Sequence, residues 1–170
     1  MLRAVGALLL VGGAGFLGFA AAAGLGRRVK SLRIFLAALE LTEREIAFRL
    51  TPMPDLLEDL AGRMPPPVSV FFARCRAGLG GLGEKDLGLL WREGLEEVPM
   101  DLGPEERELL GELGDVLGRY DGEGQRAALE RTRLALEETL RRAEEDKIRQ
   151  GRMYGVLGLT AGAFLVIMLI

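Results

Sequence analysis

The chain of 170 residues carries 22 Lys and Arg against 25 Asp and Glu, a net charge of −3, with one cysteine and no histidine. This composition excludes an intramolecular disulfide, a zinc site built from Cys and His, and every catalytic triad that uses imidazole as its base. With no broad basic surface, it also argues against nucleic acid as a partner.

Two uncharged apolar stretches bracket the chain, Ala4 to Gly26 and Met153 to Ile170. At about 1.5 Å per helical residue, roughly 23 residues cross the ~30 Å hydrocarbon layer, and roughly 18 lie at the short end of what spans it. The expected division is a transmembrane helix over 1–26, a helical domain over 27–152 and a second transmembrane helix over 153–170. Lys and Arg beside a membrane segment tend to stay in the cytoplasm. Arg27, Arg28, Lys30 and Arg33 follow the first stretch, and Lys147, Arg149 and Arg152 precede the second. The middle of the chain is therefore expected in the cytoplasm, with both termini outside. A secretory signal peptide is the rival reading, with Arg3 as its charged start and Ala20-Ala21-Ala22 as a cleavage site. It fits less well, because the apolar run exceeds the ~7–15 residues of a typical h-region.

Between the stretches, about 125 residues suffice for one domain with a modest core. Apolar residues recur there at helical spacing and no segment keeps a two-residue alternation, which predicts an all-α bundle of about six helices. The first runs from Ser31 to about Leu50, with Leu32, Phe35, Leu36, Leu39, Ile46 and Leu50 on its apolar face and Glu40, Glu43, Arg44 and Glu45 largely off it. Thr51-Pro52-Met53-Pro54-Asp55 stops that helix and starts the next, with Thr51 as the expected cap. Leu56, Leu57 and Leu60 carry the second helix to Arg63, and Pro65-Pro66-Pro67 breaks the chain. A third helix begins at Pro67-Val68-Ser69 and buries Val70, Phe71 and Cys75. A fourth spans about Glu84 to Val98 around Leu87, Leu90, Trp91 and Leu95. A fifth starts at Gly103-Pro104-Glu105-Glu106, where early carboxylates suit the positive end of the helix dipole, and ends near Gly118. The sixth is capped by Asp121 or Gly122 and turns Leu129, Thr132, Leu136, Leu140 and Ala143 inward. No proline follows Pro104, so nothing obliges this helix to stop before the second apolar stretch.

Three features imitate chemistry. Gly78, Gly80 and Gly83 match G-x-G-x-x-G, but a dinucleotide site needs that pattern between a strand and a helix, whereas Phe71 to Ala77 reads as helix. The phosphate-loop pattern fails because Glu84 stands where Lys is required, leaving a flexible connector as the reading. Cys75 has no histidine to activate it and reads as a small buried apolar group. The acidic pairs Glu96-Glu97, Glu105-Glu106, Glu137-Glu138 and Glu144-Glu145 read as solvated surface, interleaved with Arg and Lys. No catalytic, cofactor-binding or metal-binding residue is assigned. Small residues at helical spacing, Ala14, Gly18 and Ala22 in the first stretch and Gly158 and Gly162 in the second, would let the two anchors pair with each other or with a partner's spans.

Taken in order, the amino-terminal stretch, Glu45-Ile46, Thr51-Pro52-Met53-Pro54, Pro67-Val68-Ser69-Val70-Phe71, Trp91, Leu113-Gly114 with Leu117-Gly118 and Asp121, Gln125, and the closing Tyr154 to Ile170 segment resemble the bacterial stage III sporulation protein AB family. The chain departs from the usual pattern in its glycine-rich Gly78 to Gly83 connector and in Gly122 and Gly124. The resemblance implies a noncatalytic membrane component of the apparatus joining mother cell and forespore, in the mother-cell membrane around the forespore. Its cytoplasmic domain would be similar to the helical domains of the inner-membrane platform protein of type II secretion and type IV pilus systems. The implied partners are a cytosolic secretion-type ATPase, the stage III sporulation protein AA, together with other membrane components of the sporulation channel and the lipid membrane. Homo-oligomerisation stays open. The alternatives are a membrane-tethered oligomerising scaffold without an ATPase and a carboxylate-based membrane-anchored enzyme. An exposed face bearing apolar or Arg side chains, such as one built on Arg49, Arg63, Arg92, Arg107 or Arg119, favours the platform. A deep pocket with converging acids favours the enzyme.

Overall fold

A computed structural model describes the backbone of residues 2–49, 51–80, 86–117 and 122–169, with side chains over 23–48, 51–80, 86–117 and 123–151 and at Met153 and Thr160. Six helices account for nearly all of it: α1 (Leu2–Arg44), α2 (Met53–Arg63), α3 (Val68–Leu79), α4 (Leu87–Glu97), α5 (Pro104–Leu117) and α6 (Gly122–Leu169). No strand occurs among the described residues. The all-α expectation holds, and α6 does run on without a break. So does α1, since the helix read from Ser31 continues the one that begins at Leu2. Among the described residues no helix is long and apolar enough to cross a membrane. The side chains of 1–22, 154–159 and 161–170, nearly all of both apolar stretches, lie outside the described residues, and with them the small-residue ridges of Ala14, Gly18, Ala22, Gly158 and Gly162.

The first and last helices pack lengthwise, and the others close a ring between them, α3 on α4, α4 on α5 and α5 on α6, with α2 lying on α3. Arg33 on α1 reaches Glu144 on α6 at 2.6 Å, and Glu43 lies 3.8 Å from Arg133. Arg126 donates to the carbonyl of Ala47 at 2.8 Å. As numbering rises on α1 it falls on α6, so the pair is antiparallel and both helices enter their apolar stretches at the same end. Inside this ladder Leu32, Phe35, Leu36 and Leu39 share one core with Leu129, Leu136 and Ala143.

Three helices meet at an aromatic cluster. Phe35 of α1 meets Phe71 of α3 edge-on with ring centroids 5.5 Å apart, and Phe71 meets Trp91 of α4 at 4.9 Å and 89°. Such edge-to-face pairs contribute about 0.5–1.5 kcal/mol beyond their buried area. Phe72 joins them, whereas Val70, expected inside, is 52% exposed. The buried set Val68, Phe71, Phe72 and Cys75 is spaced i, i+3, i+4, i+7, and Val70 falls off that stripe.

Helix α1 ends in a π-helical turn, Glu45–Arg49, and the expected cap of α2 is not where the pattern put it. Pro52 occupies the cap position and its carbonyl accepts from Asp55 and Leu56, both at 3.0 Å. Thr51 instead donates its hydroxyl to the Glu45 carboxylate at 2.8 Å. Glu45 is correspondingly buried rather than off the apolar face. Helix α4 starts three residues later than expected, because Asp86 accepts from the Leu89 amide at 2.8 Å and sets its start.

Buried Glu106 corrects the reading of the acidic pairs as solvated surface. Its side chain is 0% exposed and accepts from Arg28 Nε at 3.0 Å, while Arg28 is 29% exposed. Removing one partner of such a pair leaves an uncompensated buried charge. Arg28→Met should therefore lower the unfolding free energy by about 3–5 kcal/mol. Arg27→Met, which breaks the open pair to Asp101, should cost no more than about 1 kcal/mol. Denaturant titration followed by circular dichroism separates the two.

Helices α4 and α5 approach closely at Gly114, where an added Cβ would lie 2.5 Å from Trp91 Cγ. Gly114→Ala should destabilise by about 1–3 kcal/mol through overpacking. At Gly62, in the last turn of α2, an added Cβ meets nothing within 4 Å. Gly62→Ala should be neutral or stabilise by up to about 1 kcal/mol. Equal losses in the two variants, read by thermal melting, would contradict the close approach.

Candidate functional site

The residues that imitate chemistry are placed by the fold in structural roles. Gly78 lies inside α3 and lets Leu90 of α4 sit where its side chain would be, so the glycine pattern follows a helix and not a strand. Gly83 and Glu84 lie outside the described residues. Cys75 is buried beneath α4, donates to the Leu90 carbonyl at 3.9 Å, and has its thiol pushed up to about 12 by burial. A thiol so raised holds almost no thiolate at neutral pH.

The paired carboxylates are held by arginines. Glu105 meets Arg142 at 2.7 Å, Glu137 meets Arg133 at 2.6 Å, and Glu144 meets Arg33. Arg141 bridges Glu138 and Glu145, and its hydrogen bond holds the Glu138 carboxyl below the usual range. Glu97 pairs with Arg74 and leaves its neighbour Glu96 exposed. Among the described residues no group of three or more His, Cys, Asp or Glu could hold a metal ion.

Of the arginines read as candidate surface, Arg63 pairs with Asp59 at 2.9 Å and Arg92 pairs with Asp115 across α4 and α5. Arg107 is a clamp, donating to the carbonyls of Leu95 and Leu102 and so fixing the connection between α4 and α5. In that connection Val98, Met100 and Leu102 are buried, and Asp101 takes a left-handed φ of 53°. The side chain of Arg49 and all of Arg119 lie outside the described residues.

Two clefts mark the two ends of the α1–α6 pair. One, of about 560 Å³, lies beside the π-helical turn between Glu40, Glu43, Arg44, Ala47, Arg126 and Arg133. Phe48 stands on its rim 85% exposed, the most exposed large apolar side chain among the described residues. A π-helical turn carries an extra residue per turn, which rotates the side chains that follow it and is frequent at functional sites. Sequence spacing left Phe48 off the apolar face but contained no sign of the turn that presents it. The second cleft, of about 420 Å³, opens at the other end, where Lys30, Arg33 and Lys147 flank Val29, Ile34, Met64 and Pro65.

The profile of the Stage III sporulation protein AB family matches residues 3–170. The chain is 28% identical over 171 residues to Stage III sporulation protein AB of Bacillus subtilis (strain 168), with 99% of each chain covered. It is also similar to a solved structure of Stage III sporulation protein AB, with a TM-score of 0.67 and 26% identity, over 72% of this chain and 98% of that one. The shared name denotes a stage of sporulation rather than a reaction. The chain belongs to the stage III sporulation protein AB family and has a role in sporulation.

Proposed function

We propose that the chain is a noncatalytic platform of the apparatus between mother cell and forespore, anchored at both ends in the mother-cell membrane, on which a cytosolic secretion-type ATPase docks. The observation that carries this reading is the face around Phe48, an exposed aromatic side chain bordered by Arg44, Arg126 and Arg133. Aromatic and Arg side chains are the residue types that dominate binding energy at protein interfaces. The antiparallel α1–α6 pair supports the anchoring. It brings Gly26 and Lys147 to one cleft, so both apolar stretches depart from the same end, and the Phe48 face lies at the opposite end. The basic residues beside the apolar stretches favour a cytoplasmic domain with both termini outside. Other membrane components of the channel, or further copies of this chain, would then pack along the apolar stretches.

Affinity isolation of the tagged full chain from sporulating cells in mild detergent tests the reading. The unaltered chain should recover a secretion-type ATPase. Phe48→Ala should lower that recovery at least tenfold, as expected for a central interface aromatic. Val70→Ala, at an exposed apolar position of α3, should not change it. Deletion of the gene should stop sporulation after engulfment and leave vegetative growth intact. Undiminished recovery with Phe48→Ala would move the docking face elsewhere, while ATP turnover by the purified chain alone would replace the platform with an enzyme.

A further inference from the structure

The second cleft combines three properties. Its walls are apolar, formed by Val29 of α1 and by Met64 and Pro65 at the corner between α2 and α3. Its rim is cationic, and two of the three cations are unspent: Arg33 is paired with Glu144, but Lys30 and Lys147 make no ion pair among the described residues. Neighbouring Arg27 and Arg28 are also paired, with Asp101 and Glu106, and Arg149, which like the lysines makes no ion pair among the described residues, does not line the cleft. The third property is position. Lys30 lies four residues past Gly26 and Lys147 six residues before Met153, about 6 and 9 Å along their helices. The headgroup layer of one leaflet is about 5–8 Å deep beyond the hydrocarbon. If the hydrocarbon boundary falls at the ends of the apolar stretches, as the platform reading requires, Lys30 starts within this layer and Lys147 just beyond it, and a lysine side chain directed back toward the bilayer reaches the phosphates.

We infer that this cleft binds the headgroup of an anionic phospholipid, with the phosphate between Lys30 and Lys147 and the glycerol backbone against Val29, Met64 and Pro65. The inference rests on the membrane anchoring proposed above. A free phosphate would gain from the lysines but not from the apolar wall. An acidic protein segment would have to reach a cleft facing the bilayer, whereas a lipid is already there. Gly26 lines the cleft, and an added Cβ there meets nothing within 4 Å. A large side chain at this position would therefore take up cleft space without displacing the core.

The full chain reconstituted in phosphatidylcholine vesicles, probed with spin-labelled phosphatidylglycerol and spin-labelled phosphatidylcholine, reads the site directly through the motionally restricted fraction of each lipid. The expected preference for phosphatidylglycerol is about fivefold or more, as for one or two lysines meeting an anionic lipid. Lys30→Gln/Lys147→Gln should abolish it, and so should Gly26→Trp, which changes no charge. Arg149→Gln removes a cation at the same end but outside the cleft, and should cost less of the preference than the lysine pair does. Inorganic phosphate at millimolar concentration should not compete. The inference is overturned if Arg149→Gln costs as much as the lysine pair, if Gly26→Trp keeps the preference, or if phosphate displaces the lipid. A chain that does not float with the vesicles and restricts neither lipid would instead remove the membrane anchoring, and the lipid site with it.

Discussion

The lengthwise antiparallel pairing of α1 and α6 is the constraint on which the rest of the molecule depends. These are the first and last elements, so their contact closes the chain on itself, and α2 to α5 must fit in the ring that remains. The ion pairs along the seam sit outside the apolar contacts, and surface pairs of this kind contribute only tenths of a kcal/mol to about one. Stability comes from the buried Leu, Phe and Ala side chains beneath them. Arg33 with Glu144, Glu43 with Arg133, and Arg126 with the Ala47 carbonyl instead fix the register, which brings Gly26 beside Lys147.

Within the ring, the two short helix pairs are locked by different means. Helix α3 is fixed by aromatic rings on Phe35 and Trp91, while α4 and α5 are held by backbone approach at Gly114, by Arg92 on Asp115, and by the Arg107 clamp on two loop carbonyls. Guanidinium suits that clamp because its planar fork presents several donors at once. The buried pair of Arg28 and Glu106 then ties the start of α5 to α1. Two of the arginines beside the first apolar stretch, Arg27 and Arg28, are thereby committed to the bundle, whereas Lys30 and Lys147 make no ion pair among the described residues.

The elements were legible in the sequence where local chemistry decides them. Pro52, the Pro65 to Pro67 run and Gly103-Pro104 punctuate the helices because proline restricts its own φ and the residue before it, and the start of α5 follows from that alone. Legibility ended where a partner distant in the chain decides. Glu106 looks like an ordinary first-turn carboxylate, and its burial depends on Arg28, 78 residues away. Thr51 has the pattern of a cap, yet its hydroxyl donates to Glu45 across the π-helical turn. Neither cleft was legible as a site. The basic residues were visible, but which were already paired was not, and the turn that turns Phe48 outward has no spacing signature. Val70 is different: strict i, i+3, i+4, i+7 counting from Val68 would have chosen Phe72 over it.

The two clefts are joined by one rigid element, and its length limits how they can influence each other. From Gly26 to Arg44, α1 rises through eighteen residue steps, about 27 Å of helix. That is more than three times the ~8 Å screening length at physiological ionic strength, so charge at one end is not felt at the other through solvent. Nor does a chain of unpaired charges connect them, because the charges of the ladder are in closed pairs, Arg33 with Glu144 and Arg133 with Glu43. Any influence of one end on the other must therefore be mechanical, a tilt or slide of α1 against α6. A slide must break the register that the ladder sets, whereas a tilt moves both ends with every pair intact. The α1–α6 pair is thus built to act as a single lever, and under the proposed function a partner docked at the Phe48 end would be coupled to the opposite end chiefly through the orientation of that lever.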